Sequence, residues 1–153
     1  MALQNKAIDG VSRRREGAGA ILIDNFGRFL LQQRDDCPGI LQPGKVGLFG
    51  GHRESNETYL QCLVREINEE IGYFVPPERF EYLANYEGAD PETPGGVVRA
   101  EFFVARDIII ESLVVSEGSL VIIKADELAA IEPKFTPAAR FAMKALLSNQ
   151  RRR

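Results

Sequence analysis

Five glutamates fall within the 23 residues from Gly51 to Tyr73, and three of them, Glu66, Glu69 and Glu70, fall within five. Wound at about 100° per residue, positions i, i+3 and i+4 are neighbours, so these three carboxylates share one helical face. Like charges so placed cost about 0.2–0.5 kcal/mol per pair on an isolated helix. Clustered hard oxygens suit a divalent cation such as Mg2+. Spacing alone does not separate that reading from a solvated acidic face.

The elements that would position the carboxylates are legible on either side. Leu60, Leu63, Val64, Ile67 and Ile71 form a stripe roughly 100° wide, the mark of a helix packed on a core. An apolar run, Val46 to Phe49, leads into Gly50-Gly51. A strand ending in paired glycines lets a ligand or another backbone approach closely. Gly72 stands where a helix C-terminal glycine belongs. The unit reads as strand, glycine loop, acidic helix, glycine stop.

Gly51, Glu57, Arg65, Glu66, Ile67, Glu69, Glu70 and Gly72, with Tyr73 as the closing bulky residue, match every fixed position of the Nudix box, G-x5-E-x7-R-E-U-x-E-E-x-G-U. The chain therefore resembles the Nudix hydrolases through a segment covering about a seventh of its length. The resemblance implies a layered α/β/α domain with a mixed β-sheet between helices. It implies an Mg2+- or Mn2+-dependent pyrophosphohydrolase cutting a phosphoanhydride bond in a nucleoside diphosphate linked to another moiety: a nucleotide sugar, a dinucleotide or a (d)NTP. Glu66 and Glu70 are the expected metal pair, Glu69 can complete the shell, and the Gly51 carbonyl is a further family-type ligand. Glu57 and Arg65 read as architectural, Arg65 lying across the helix from the carboxylates and anchoring the loop on Glu57. Ser55-Asn56 stand where the family often has a glycine.

Water activation needs a carboxylate within hydrogen-bond reach. Glu66 or Glu69 could serve from within the box. Glu117-Gly118 resembles a late Glu-Gly loop that supplies a distant ligand or base in some members, and is preferred here to its competitor Glu101. His52, Arg34 and Arg99 are the candidate phosphate contacts. Phe26, Phe49, Tyr82, Tyr86 and Phe103 could stack a base or belong to the core. A nucleotide-sensing Nudix-like domain without turnover is the alternative function, disfavoured by the intact carboxylate set.

With 153 residues, 44% apolar and 27% charged, the chain fits one globular domain. No apolar run approaches a membrane span, and two cysteines are too few for a disulfide framework, so a cytoplasmic setting is expected. Net charge is −3, and the arginine runs at 13–15 and 151–153 read as solvated tails, which argues against extended nucleic-acid binding. A small nucleotide is the expected partner, and assembly as a homodimer is left open.

Residues 1–16 read as an N-terminal arm and 17–150 as the single domain. Strands are expected over 17–23, 28–34, 46–49, 80–86, 97–107 and 119–124, with a surface loop over 88–96. Asp126 is placed to cap a short helix over 127–131. Thr136-Pro137 should open a closing helix to about Leu147 that buries Phe141, Ala142, Ala145 and Leu146.

Overall fold

The computed structural model describes residues 14–40 and 42–151. In chain order these form β1 (Arg14–Asp24), β2 (Phe29–Gln33), β3 (Val46–Gly47), β4 (Phe49–His52), helix α1 (Tyr59–Ile71), β5 (Phe80–Ala89), β6 (Val97–Ile108), β7 (Ser119–Ile123), the four-residue α2 (Leu128–Ile131) and α3 (Pro137–Arg151). β1 is the spine of a mixed sheet. It runs parallel to β6 and antiparallel to β4 and β2. β5 closes one side on β6, and β7 pairs with β2.

Strand alternation divides the core in two. Ala18, Ala20 and Leu22 of β1 pack with Leu63, Ile67 and Ile71 of α1. Ile21 and Ile23 face the other way, onto Ala139, Ala142, Met143 and Leu146 of α3. The fold is therefore an α/β/α layered domain with the sheet in the middle, as expected. Among the described residues no helix is long and apolar enough to cross a membrane.

Several boundaries differ from the sequence reading. β1 begins at Arg14 rather than Gly17, drawing three residues of the expected arm into the sheet. Arg15 explains this: it is buried, pairing through Nε with Asp90 and through Nη1 with Glu92 at 2.7 Å. The same pairing draws the expected surface loop inward, burying Asp90 and Thr93. The rest of the arm, residues 1–13, lies outside the described residues, as do Arg152 and Arg153.

At the C-terminal end, Asp126 lies in a 3-10 turn rather than capping a helix, and Glu127 Oε1 accepts the Lys124 N–H at 2.9 Å. Thr136 does cap α3, its Oγ1 accepting the Ala139 N–H at 3.1 Å. α3 continues to Arg151. Ala142 and Leu146 are buried, but Ala145 is only half-buried. Phe141 is partly exposed because it lies over the sheet against Tyr86 and Phe102, at ring centroid distances of 5.6 and 5.5 Å.

Candidate active site

The box helix is fixed at both ends by its own sequence. Thr58 Oγ1 accepts the Gln61 N–H at 3.0 Å and Gln61 Oε1 accepts the Thr58 N–H at 2.9 Å, a reciprocal capping box. At the other end Gly72 is left-handed, φ 61°, and donates to the Asn68 carbonyl. β4 then passes beneath the acidic face. Gly50 has φ 148°, and a Cβ there would collide with the backbone of Ala18. A Cβ on Gly51 would collide with the Glu66 carboxylate. Gly50 thus lets β4 lie close on β1, and Gly51 lets it lie close beneath the Glu66 carboxylate.

Two carboxylates face that junction. Glu70 is 6% exposed. Burial pushes its pKa up to about 8, against the hydrogen bond from the Gly50 N–H to Oε1 at 2.7 Å. Glu66 is also buried and also raised, by desolvation first, with the Arg65 guanidinium opposing. Glu69 behaves differently: its side chain is 58% exposed and sits 3.5 Å from Arg65 Nη1. Among the described residues no three acidic, histidine or cysteine side chains are gathered as a ligand group. The expected trio is thus a buried pair with an exposed third member. The Gly51 carbonyl accepts a long contact from the Cys62 thiol at 3.6 Å.

Arg65 does anchor the loop on Glu57, with Nε to Oε2 at 2.6 Å and Nη2 to Oε1 at 2.9 Å, and it also holds the His52 carbonyl at 3.1 Å. Those hydrogen bonds hold the Glu57 pKa down at about 2. Arg65 is not, however, across the helix from the carboxylates. Its Nη1 reaches Glu66 Oε1 at 2.9 Å, and the planar fork of five N–H donors serves loop and site together.

The stretch before β7 reaches the site through the helix's spare acceptors. An α-helix leaves its last four carbonyls without intrahelical partners. Here Gly72 N takes Asn68, Ser116 Oγ takes Glu69 at 3.0 Å, Ser116 N takes Glu70 at 2.9 Å and Val114 N takes Ile71 at 2.8 Å. Glu117 follows directly, and its carboxylate lies close enough to help raise the Glu70 pKa. Gly118, φ 64°, packs so tightly on β2 that a Cβ would collide with the Gln33 carbonyl. Gln32, missed in the sequence reading, joins the two parts: Nε2 donates to the Glu117 carbonyl at 2.9 Å and to Glu70 Oε2 at 3.4 Å. A signal existed, because Gln32 has the strand parity of Leu30, a core position.

Of the three candidate phosphate contacts, Arg34 lies close enough to His52 to help lower its pKa, whereas Arg99 stands apart from both. Arg99 pairs in register with Glu16 and His52 with Gly17, so alternation puts them on opposite sheet faces. Arg99 lies over the Tyr59 ring at 5.4 Å and 3.7 Å from Glu101, under the start of α1. Glu101 is consequently half-buried and paired rather than turned to solvent. His52 is pushed down to about 4 by burial and by the Arg15 charge, so it is neutral at pH 7 and offers no cation to a phosphate. Arg34 follows β2, its N–H bonded to the Lys45 carbonyl at 2.8 Å. Of the aromatics, Phe49 and Phe103 are core, Tyr82 packs edge-on against Phe103, and Phe26 is exposed in the β1–β2 turn.

No curated protein matches this chain. Among solved structures, the E. coli ORF135 protein superposes with a TM-score of 0.72 at 23% identity, covering 96% of this chain and 98% of that one. The MutT protein from Methanosarcina mazei Go1 gives 0.73 at 18% identity, with 94% and 99% covered. A bifunctional NMN adenylyltransferase/ADP ribose pyrophosphatase from Francisella tularensis, complexed with AMP and a manganese ion, gives 0.70 at 17%, covering 92% of this chain and 43% of that one. At such identities the likeness is one of fold. The model of the NUDIX domain family matches residues 13–152, nearly the whole chain. The chain therefore belongs to the Nudix family and is a hydrolase acting on phosphoanhydride bonds.

Proposed function

We propose that this Nudix hydrolase is an Mg2+- or Mn2+-dependent pyrophosphohydrolase that cleaves a nucleoside diphosphate linked to another moiety, with a nucleotide sugar, a dinucleotide or a (d)NTP as substrate. The observation that carries the metal requirement is the Glu66–Glu70 pair. Glu70 is buried with neutral donors as its partners, Gly50 N–H and the Gln32 amide. A buried carboxylate without a cation is costly, and hard oxygens at a glycine-lined gap fit a hard divalent ion. Glu66 and Glu70 would hold it, and Glu69 would join from the solvent side. When bound, such an ion supplies positive charge against a polyphosphate and acidifies water in its shell.

The remaining roles fall to the chain's own groups. Arg65 orients Glu66 and ties it to the loop after β4. Ser116 and Gln32 place Glu117, whose exposed carboxylate is the general base accepting a proton from the attacking water. Glu101, paired with Arg99 beneath α1, takes no part. A cytoplasmic setting suits the two free cysteines.

The test is a screen of (d)NTPs, nucleotide sugars, ADP-ribose and diadenosine polyphosphates with Mg2+ or Mn2+. Phosphatase or pyrophosphatase coupling makes each product visible as orthophosphate. Excess chelator should abolish turnover and added metal restore it. Full activity in chelator would end the metal mechanism, and nucleotide binding without turnover of any class would favour the sensing role.

A further inference from the structure

We infer that Gln32, outside the box on β2, is a positioning residue that holds the Glu70 carboxylate and the Glu117 loop in one arrangement. The inference rests on the roles proposed above for those two glutamates. Gln32 is 4% exposed. Its partners are both acceptors, a carboxylate oxygen and a carbonyl oxygen, and a primary amide is a neutral side chain with two N–H donors on one nitrogen.

The surrounding geometry makes the link specific. Glu70 uses Oε1 for the Gly50 N–H, leaving Oε2 for Gln32. Beyond Glu117, β7 pairs back onto β2, with Gln32 opposite Leu120 and Gln33 opposite Ser119. Before it, Ser116 is bonded to the end of α1. The loop is therefore tied by its backbone to helix and strand, and Gln32 is the side chain that spans the space between. A lysine there would neutralise Glu70 and compete with a metal. A glutamate would repel both partners. A leucine or methionine would leave the Glu117 carbonyl unpartnered.

The experiment compares Gln32→Met and Gln32→Asn with Glu70→Gln, Glu117→Gln and the Gln32→Met/Glu117→Gln double variant. Met keeps length without donors, and Asn keeps the amide one methylene short. Thermal unfolding checks the fold, Mn2+ titration followed by electron paramagnetic resonance reads binding in the absence of substrate, and kinetics separate kcat from KM. Both Gln32 variants should stay folded, weaken Mn2+ binding and lower kcat by about 10- to 100-fold, the range for groups that orient metal ligands. KM should move by only a few-fold.

Gln32→Met should also cost less in the Glu117→Gln background than in wild type, since a displaced loop matters less once its carboxylate is gone. If either folded variant binds Mn2+ and turns over at wild-type levels, or if the two substitutions are fully additive, the positioning role is wrong. A fall in thermal stability alone, with kcat and Mn2+ affinity retained, overturns it equally. Should Glu70→Gln itself retain wild-type activity, the underlying reading fails instead, and the two failures are told apart.

Discussion

Replacing Glu70 by Gln should stabilise the metal-free protein at alkaline pH while destroying its activity. The folded protein holds the Glu70 proton up to about pH 8, against an ordinary value of 4.5. With the folded pKa raised, the folded state binds more protons than the unfolded state between those limits, so stability falls as pH rises through the window. The favourable condition is fully present below about 4.5 and is lost by about 8. At about 1.4 kcal/mol per pH unit, the full span corresponds to about 5 kcal/mol. That is comparable with the whole stability of an ordinary domain, about 5–15 kcal/mol.

The glutamine can still accept the Gly50 N–H, but its own NH2 meets that of Gln32, a mismatch worth about 1 kcal/mol. The two proteins should therefore lie close together near pH 5, wild type slightly ahead, and cross as pH rises. By pH 8 the variant should be ahead by several kcal/mol. Urea unfolding in chelator at pH 5, 6, 7 and 8 measures this, and titrating groups remote from Glu70 largely cancel in the difference. Added Mg2+ or Mn2+ should stabilise wild type and leave the variant nearly unmoved, because ligand linkage acts only where the site binds. Parallel pH curves, or a variant less stable than wild type at pH 8, would refute the argument that Glu70 is a desolvated carboxylate awaiting a cation.

Three further outcomes follow from particular contacts. Gly51→Ala should displace the Glu66 carboxylate, and a misplacement of about 1 Å can cost 100-fold in rate; an unchanged kcat/KM in a folded protein would mean Glu66 is not needed where it stands. Glu117→Gln should lower kcat about 10²–10⁴-fold with little change in KM, while Glu101→Gln stays within a few-fold of wild type; a loss below tenfold for Glu117 would move the base into the box. Asp90→Ala leaves Arg15 buried with Glu92 alone and should cost about 3–5 kcal/mol in urea unfolding; a loss near zero would show that the pair does not hold the β5–β6 loop to β1.

Much of the fold was legible because burial imposes periodicity. The helical stripe of Leu63, Ile67 and Ile71 and the strand alternation of β1 are both repeated demands of one core. The box glutamates were legible as a face, but not their division, because a helical wheel gives direction and not depth. Glu66 and Glu70 meet β4, whereas Glu69, one residue earlier than Glu70, clears it. Arg65 is likewise nearer than a reading from Glu66 and Glu70 alone suggests, since it stands i,i+4 to Glu69 and so borders the acidic face. Arg15 reads as tail in the sequence because the charges that bury it, Asp90 and Glu92, lie in a distant loop of polar composition.

The approach of Glu117 to the box shows what a motif omits. Gly72 accounts for one of the helix's four terminal acceptors, and its sequence signature is plain. The other three must find donors as well. They do so in the backbone N–H groups of Val114 and Ser116 and in the Ser116 hydroxyl, so two of the three donors could come from any non-proline residue and the stretch carries little signature. A helix end thus selects its neighbour more by hydrogen-bonding need than by residue type, and the first acidic residue past that contact is carried to the carboxylate pair. The Glu-Gly dipeptide was recognisable only through its resemblance. Its position follows from the unsatisfied end of α1, and Gly118 then lets the chain turn directly into β7 against β2.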